Sequence, residues 1–378
     1  MNLPTRRSSR AFAPDNALEL TALIDRLEPR RLFSANYPQI PSDPVEIGTA
    51  RVHNITFQAT NGLKTTIAVA YATAEITFAG SNIAEVYQGH GFFPDGETEI
   101  VESVTIANAV PGKAALSIQC QYGPGLFPVT SITGGDLSSI YAPEVNLVGS
   151  LSLMSVKHLT IAEVTGASIN VQGTAGSVKI LGNMSGTLTA GSVTNLSAEE
   201  LNQETITATD TYSASHLDIG TIDATAGIDQ STITSAGNIG TIKSLFVQNS
   251  LISAATADPS PSGTAGSDDF TAPAIIQSVD IQKTGNFANS TITAYKVGSL
   301  NLSQISGGGG IAAEEFGSVG GISPAGELDR VTFILHSGAL RSPAKLQAAL
   351  HQLNIACTTV TGEPDITVFY DLDLTILT

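Results

Sequence analysis

Three aspartates, Asp218, Asp223 and Asp229, are the carboxylates best placed to act together. Hydrolysis of a glycosidic bond needs two carboxyl groups facing each other across it. Asp218 and Asp223 flank Ile219-Gly220-Thr221-Ile222 and can lie on one side of a strand. Their odd separation across a glycine leaves that co-facing open, and solvated corner carboxylates are the simpler reading. A polysaccharide lyase would need a basic residue and cationic partners for a uronate, yet no arginine lies between Arg51 and Arg330. The six histidines stand alone in sequence, without His-x3-His spacing, so they carry no metal. Cys120 and Cys357, the only cysteines, sit in apolar strand-like contexts and read as two buried free thiols, a disulfide being the alternative. The run Gly307 to Gly310 lacks the aspartate of a calcium-binding β-roll, and Gly134-Gly135-Asp136 occurs once. No cofactor is expected, and no catalytic activity.

What must position these residues is a repeat. Ser-Thr-Ile-Thr-Ser-Ala at Ser231 to Ala236 returns as Ser-Thr-Ile-Thr-Ala at Ser290 to Ala294 and is echoed around Ile252, Ile206, Leu188 and Ile169. The central apolar residues Ile169, Leu188, Ile206, Ile233, Ile252 and Ile292 are 19, 18, 27, 19 and 40 residues apart, a period near 20 with two interruptions. A second phrase, Gly-x-Val/Ile-x-x-Ile/Leu, begins at Gly176, Gly191 and Gly237. Glycine suits a corner, and the alternating β-branched residues after it suit a strand with one buried face. One repeat has too few aliphatic residues to bury alone, so repeats must stack and form ladders of Ile, Val and Leu. The fold class predicted is all-β: a single-stranded parallel β-helix, right-handed by the usual bias. Asn249-Ser250 and Asn289-Ser290 fall at its corners, where their side chains can bond to the backbone or stack on like residues. The interruptions are polar, one near Asp210 to Ser215 and one at 258–269, the latter rich in Pro, Gly and Ser.

Composition narrows the partners. Charged residues make up 13% of the chain, about half the usual share, and the net charge is −17. Such a surface opposes nucleic acid and anionic membranes. No stretch of about 18 apolar residues occurs, so no transmembrane span is expected. Six of the nine arginines lie in residues 1–36, which form a basic leader rather than an ordinary signal peptide, because Glu19 and Thr21 break its apolar core.

That leader contains Leu27-Glu28-Pro29-Arg30-Arg31-Leu32-Phe33. It resembles the LEPR-XLL motif near the N-terminus of large repetitive surface or exported proteins of planctomycetes and related bacteria. Leu27, Glu28, Pro29, Arg30 and Leu32 match, and Phe33 replaces the second leucine. The resemblance implies a sorting or processing signal read by export machinery, and an extracellular or cell-surface location.

The organisation expected is therefore a leader at 1–36, disordered or helical, and a β-rich N-terminal segment at 45–144 that covers the first coil. Repeats follow at 145–322, and an α+β cap at 323–378 has one helix from Ser342-Pro343 to about Leu353. The expected function is structural or adhesive, with carbohydrate or neighbouring surface proteins as partners. A carbohydrate-active enzyme on the same scaffold is the alternative, and a phage-like trimeric fibre would need a long exposed apolar stripe.

Overall fold

The computed structural model describes residues 44–49, 53–58, 64–79, 86–87, 91–92, 100–121, 125–210, 213, 216–256, 270–282, 285–302, 305–306, 309–320, 331–336, 357–360, 366–369 and 372–377. The leader, the 258–269 stretch and the expected helix at 342–353 lie outside them. Among the described residues the chain is all-β, with no helix, and hence none long and apolar enough to cross a membrane.

Isoleucine at a fixed interval builds the core. Ile206, Ile233, Ile252, Ile292 and Ile311 occupy one column in successive parallel register, and each is fully buried. Beside it run Val178, Leu196, Ile222, Ile242, Val279 and Leu300, and then Val193, Ile219, Ile239, Ile276 and Val297. A fourth column holds Leu201, Ile228, Val247 and Phe287. In these columns each apolar side chain sits on an equivalent one from the adjacent repeat, which removes from water what no repeat could bury alone.

Turns expected between strands are largely absent as breaks. Strand pairing runs without interruption over Phe127–Ile180 and again over Asn183–Ala208. The backbone at the bends stays bonded to the neighbouring repeat, as where Leu181 N donates to Ile161 O and Gly182 N to Ala162 O. Parallel pairing also begins before residue 145: Ile100–Ala107 lies along Phe127–Ile180 with Val101 opposite Val129.

The parallel pairings of seven strands close a ring. It passes from Asn183–Ala208 through Leu217–Asp229, Asn238–Ser244, Ile275–Ile281 and Thr291–Asn301, and returns through Leu251–Ala254 and Thr232–Ser235. In these terms the topology is a closed parallel barrel, which differs from the β-helix expected from the repeats.

Ahead of Phe127–Ile180 the chain also forms antiparallel pairings. Asn54–Gln58 pairs Lys64–Ala70, which pairs Ala115–Gln121, while Val45–Ile47 and Ile100–Ala107 flank Thr73–Ala79. Phe57 joins this layer to the first parallel strand, packing edge-on against Phe78 at 5.0 Å and tilted against Phe127 at 5.5 Å. After Gly309–Gly320, parallel pairing continues through Val331–His336 to Leu372–Leu377.

Candidate functional site

Both interruptions of the repeat leave from the same corner. Ala208, Ser235 and Ala254 share one register position, and so do Ile219, Ile239 and Ile276 beyond the corner. The middle repeat crosses with the short link Ala236-Gly237, whereas the repeats on either side make excursions at 209–216 and 255–274. Asn238 ties the three together: its Nδ2 donates to Ser213 O and His216 O, both at 2.9 Å, and its Oδ1 accepts Ile275 N at 2.9 Å. The side chain is buried, and each bond uses a group that would otherwise be stranded.

Asp218 lies at this corner. It was expected as a solvated carboxylate, but its exposure is 0% because it fills the space over Gly237, where a Cβ would meet its Oδ2 at 2.2 Å. The Ser235 hydroxyl donates to Oδ2 at 3.5 Å, and Oδ1 has no partner. Burial pushes its carboxyl above the usual carboxylate range, and Asp210 adds to the push; His216 opposes it, as do the Ser235 hydroxyl and the Gly237 amide.

The other two aspartates face elsewhere. Asp223 is half-buried between the inward Ile222 and Ala224, opposite Ser197 on one side and Lys243 on the other. Asp229 stands at a different corner, accepting Asn249 Nδ2 at 3.1 Å and Gln230 Nε2 at 3.3 Å. One is sealed in the core side of a corner and two are outward, so the three do not converge on one bond. Among the described residues no group of three or more His, Cys, Asp and Glu side chains could hold a metal ion. Cys120 is a free thiol, half-buried rather than buried, and desolvation raises its pKa. Cys357 and the motif residues Leu27 to Phe33 have no described side chains.

The corner at Asp229 holds a second constellation. Gln203, Gln230, Asn249 and Asn289 all adopt left-handed backbone, φ 47 to 55°. Asparagine tolerates that region; glutamine adopts it less readily. Asn289 Nδ2 donates to Asn249 Oδ1 at 3.4 Å, continuing the chain to Asp229. The next residue along each repeat is Glu204, Ser231, Ser250 or Ser290, and all four are buried. Glu204 N donates to Ser231 Oγ, Ser231 N to Ser250 Oγ and Ser250 N to Ser290 Oγ, each at 3.1 Å. The serine hydroxyls donate in turn to Asp229 O, Gln248 O and Ala288 O.

Glu204 is therefore the exception in a serine column. Sequence reading missed it, although aligning Gln203-Glu204-Thr205-Ile206 with Gln230-Ser231-Thr232-Ile233 exposes the substitution. It is 1% exposed, neither carboxyl oxygen has a partner, and burial pushes its pKa up to about 8.

A third feature is a surface. Ser177, Asn195, Thr221, Thr241, Ser278 and Ser299 follow one another in register, outward between the inward columns. The adjacent outward column carries Asp223, Lys243, Asp280 and Asn301, with Asn301 Nδ2 donating to Asp280 Oδ1 at 2.7 Å. Comparison with known proteins finds no family model, no curated protein and no solved structure that matches this chain.

Proposed function

We propose that the chain is an exported or cell-surface structural protein of a bacterium, a right-handed single-stranded parallel β-helix whose outward faces bind carbohydrate or neighbouring surface proteins. The ring of pairings supports the helical reading because two of its strands contribute different residues to its two arms. Val193 to Asn202 pair with Leu217–Asp229, whereas Thr205 to Ala208 pair with Thr232–Ser235. Likewise Thr291 to Thr293 pair with Leu251–Ala254, and Lys296 to Asn301 with Ile275–Ile281. A strand that turns a corner between two faces of a coil gives this pattern, and the arms are then two faces of one coil.

The observation that carries the functional reading is the outward column of Ser, Thr and Asn, unbroken over six repeats at the strand spacing of about 4.8 Å. Each rung offers a donor and acceptor, so weak contacts add along an extended neutral glycan. The absence of arginine between Arg51 and Arg330 disfavours anionic glycans. Separation of Asp218 from Asp223 and Asp229 favours this reading over a polysaccharide hydrolase or lyase. The leader's likeness to the LEPR-XLL motif supports export and recognition by sorting machinery.

Two experiments test it. Surface protease shaving with cell fractionation should find the native protein outside the cytosol, and a cytosolic pool alone rejects the localisation. On a glycan array, Thr221→Val with Thr241→Val should lower binding to neutral glycans roughly tenfold or more, about 1.4 kcal/mol. Wild-type silence on the array, or binding indifferent to both substitutions, rejects the hydroxyl face as a binding surface.

A further inference from the structure

The serine column explains why a carboxyl at position 204 is unusual. At positions 231, 250 and 290 the side chain is short: its hydroxyl accepts the amide of the repeat before and donates to a carbonyl of its own corner. Every group is used. The glutamate that heads the column receives nothing at either oxygen, although its own amide is held by Ser231. A carboxylic acid can be buried there at modest cost, whereas a carboxylate would carry a full charge into a site with no donor.

Among the described residues no charged neighbour relieves that charge. The titratable groups on the flanking strands are Asp136, Tyr141, Glu144, Lys157, His158, Glu163 and Lys179 on Phe127–Ile180, Glu199 and Glu200 on its own strand, and Asp218, Asp223 and Asp229 on Leu217–Asp229; Thr232–Ser235 carries none. Asp229 is already engaged by Asn249 and Gln230, and residues 184–190 carry no ionisable side chain. Burial is the one cause of the displaced titration of Glu204, with no Coulombic contribution from any of these groups.

We propose that Glu204 is a protonation latch for this corner: neutral, it lies in the serine column and keeps the corner closed; ionised, it leaves the column for water and opens the corner between Asn183–Ala208 and Thr232–Ser235. The opening is local, because the Ser250 to Ser290 link lies further along the column and the isoleucine ladder continues beneath it. Raising the pH thus loosens one joint of the stack while the rest holds.

Amide hydrogen exchange tests the latch when wild type is compared with Glu204→Gln at each pH, which cancels the intrinsic pH dependence of exchange. Protection of the residue 204 amide, which bridges the opened joint, should fall in wild type, relative to the variant, by roughly 10- to 100-fold between pH 6 and 9. The Ser231 and Ser250 amides, bonded further along the column, should change little. Equal protection in both proteins across that range overturns the latch, and so does a uniform loss at all three amides. Should Glu204→Gln not fold, Glu204→Ser, which restores the residue of the other repeats, serves as the same reference. A carbon-detected NMR titration of the wild-type Glu204 carboxyl decides independently: a midpoint above about 7 is expected, and one in the ordinary carboxylate range of about 4.3 overturns the proposal.

Discussion

Asp218 and Ser250 show how much a single buried polar atom can weigh in a fold built almost wholly of backbone pairing. The Asp218 carboxyl is raised from its ordinary value of 3.8 by burial. A group raised in the folded state contributes stability that is fully present below its unfolded value and is lost as pH rises through the folded one. The window therefore opens near pH 4 and runs upward. Asp218→Asn, which keeps an oxygen for Ser235 and Gly237, should be stabilising at neutral pH, with an advantage that vanishes near pH 3; melting curves at both pH values check this. Ser250→Ala acts differently. It strands the buried Ser231 amide and should cost about 1–3 kcal/mol in denaturant unfolding, at all pH values. Two glycines offer a further contrast: a Cβ on Gly240 would meet Gly220 O at 2.1 Å, where backbone stacks on backbone, whereas Gly135 has nothing within 4 Å. Gly240→Ala should cost several kcal/mol, and Gly135→Ala should stay within about 0.5 kcal/mol.

Among elements, the unit of stability is the column rather than the strand. Thr232–Ser235 and Leu251–Ala254 are four residues each and could not persist alone. They hold because Ile233 and Ile252 are clamped between Ile206 and Ile292 in parallel register. Ile252→Asp puts an unpaired charge into that ladder and should unfold the neighbouring repeats, with loss of a cooperative transition by circular dichroism. An unchanged melting temperature would show that the column is wrong. This much was legible beforehand, since the interval between isoleucines is itself the register. The two corners were legible only in part. Asn249-Ser250 and Asn289-Ser290 announced stacked side chains, which the hydrogen bonds confirm. That the excursions at 209–216 and 255–274 leave from one corner, with Asn238 bonded to both, depends on which residues become neighbours across separations of 22 to 37.

The whole chain carries few charges and a net charge of −17, and its few lysines are scattered singly along the repeats. Self-repulsion of that excess destabilises the compact state and is screened by salt. Raising the ionic strength from about 0.01 to 0.15 M shortens the Debye length from about 30 to 8 Å. The melting temperature should rise by roughly 2–4 °C, equivalent to about 1 kcal/mol. Calorimetry at constant pH measures it, and a falling melting temperature would mean that attractive ion pairs dominate. Sequence by itself determined the all-β class, the period near 20, the positions of the isoleucine ladder and the poverty of cationic sites. Those properties follow from local spacing and composition, which need no knowledge of the partner strand. Only the tertiary structure decided that Asp218 is sealed at the corner over Gly237, that Asp223 and Asp229 turn outward, that Glu204 occupies a serine position without a partner, and that parallel pairing begins before residue 145. Burial and hydrogen-bond satisfaction belong to a side chain's neighbours in the adjacent repeats, and the chain brings those neighbours together only when it stacks.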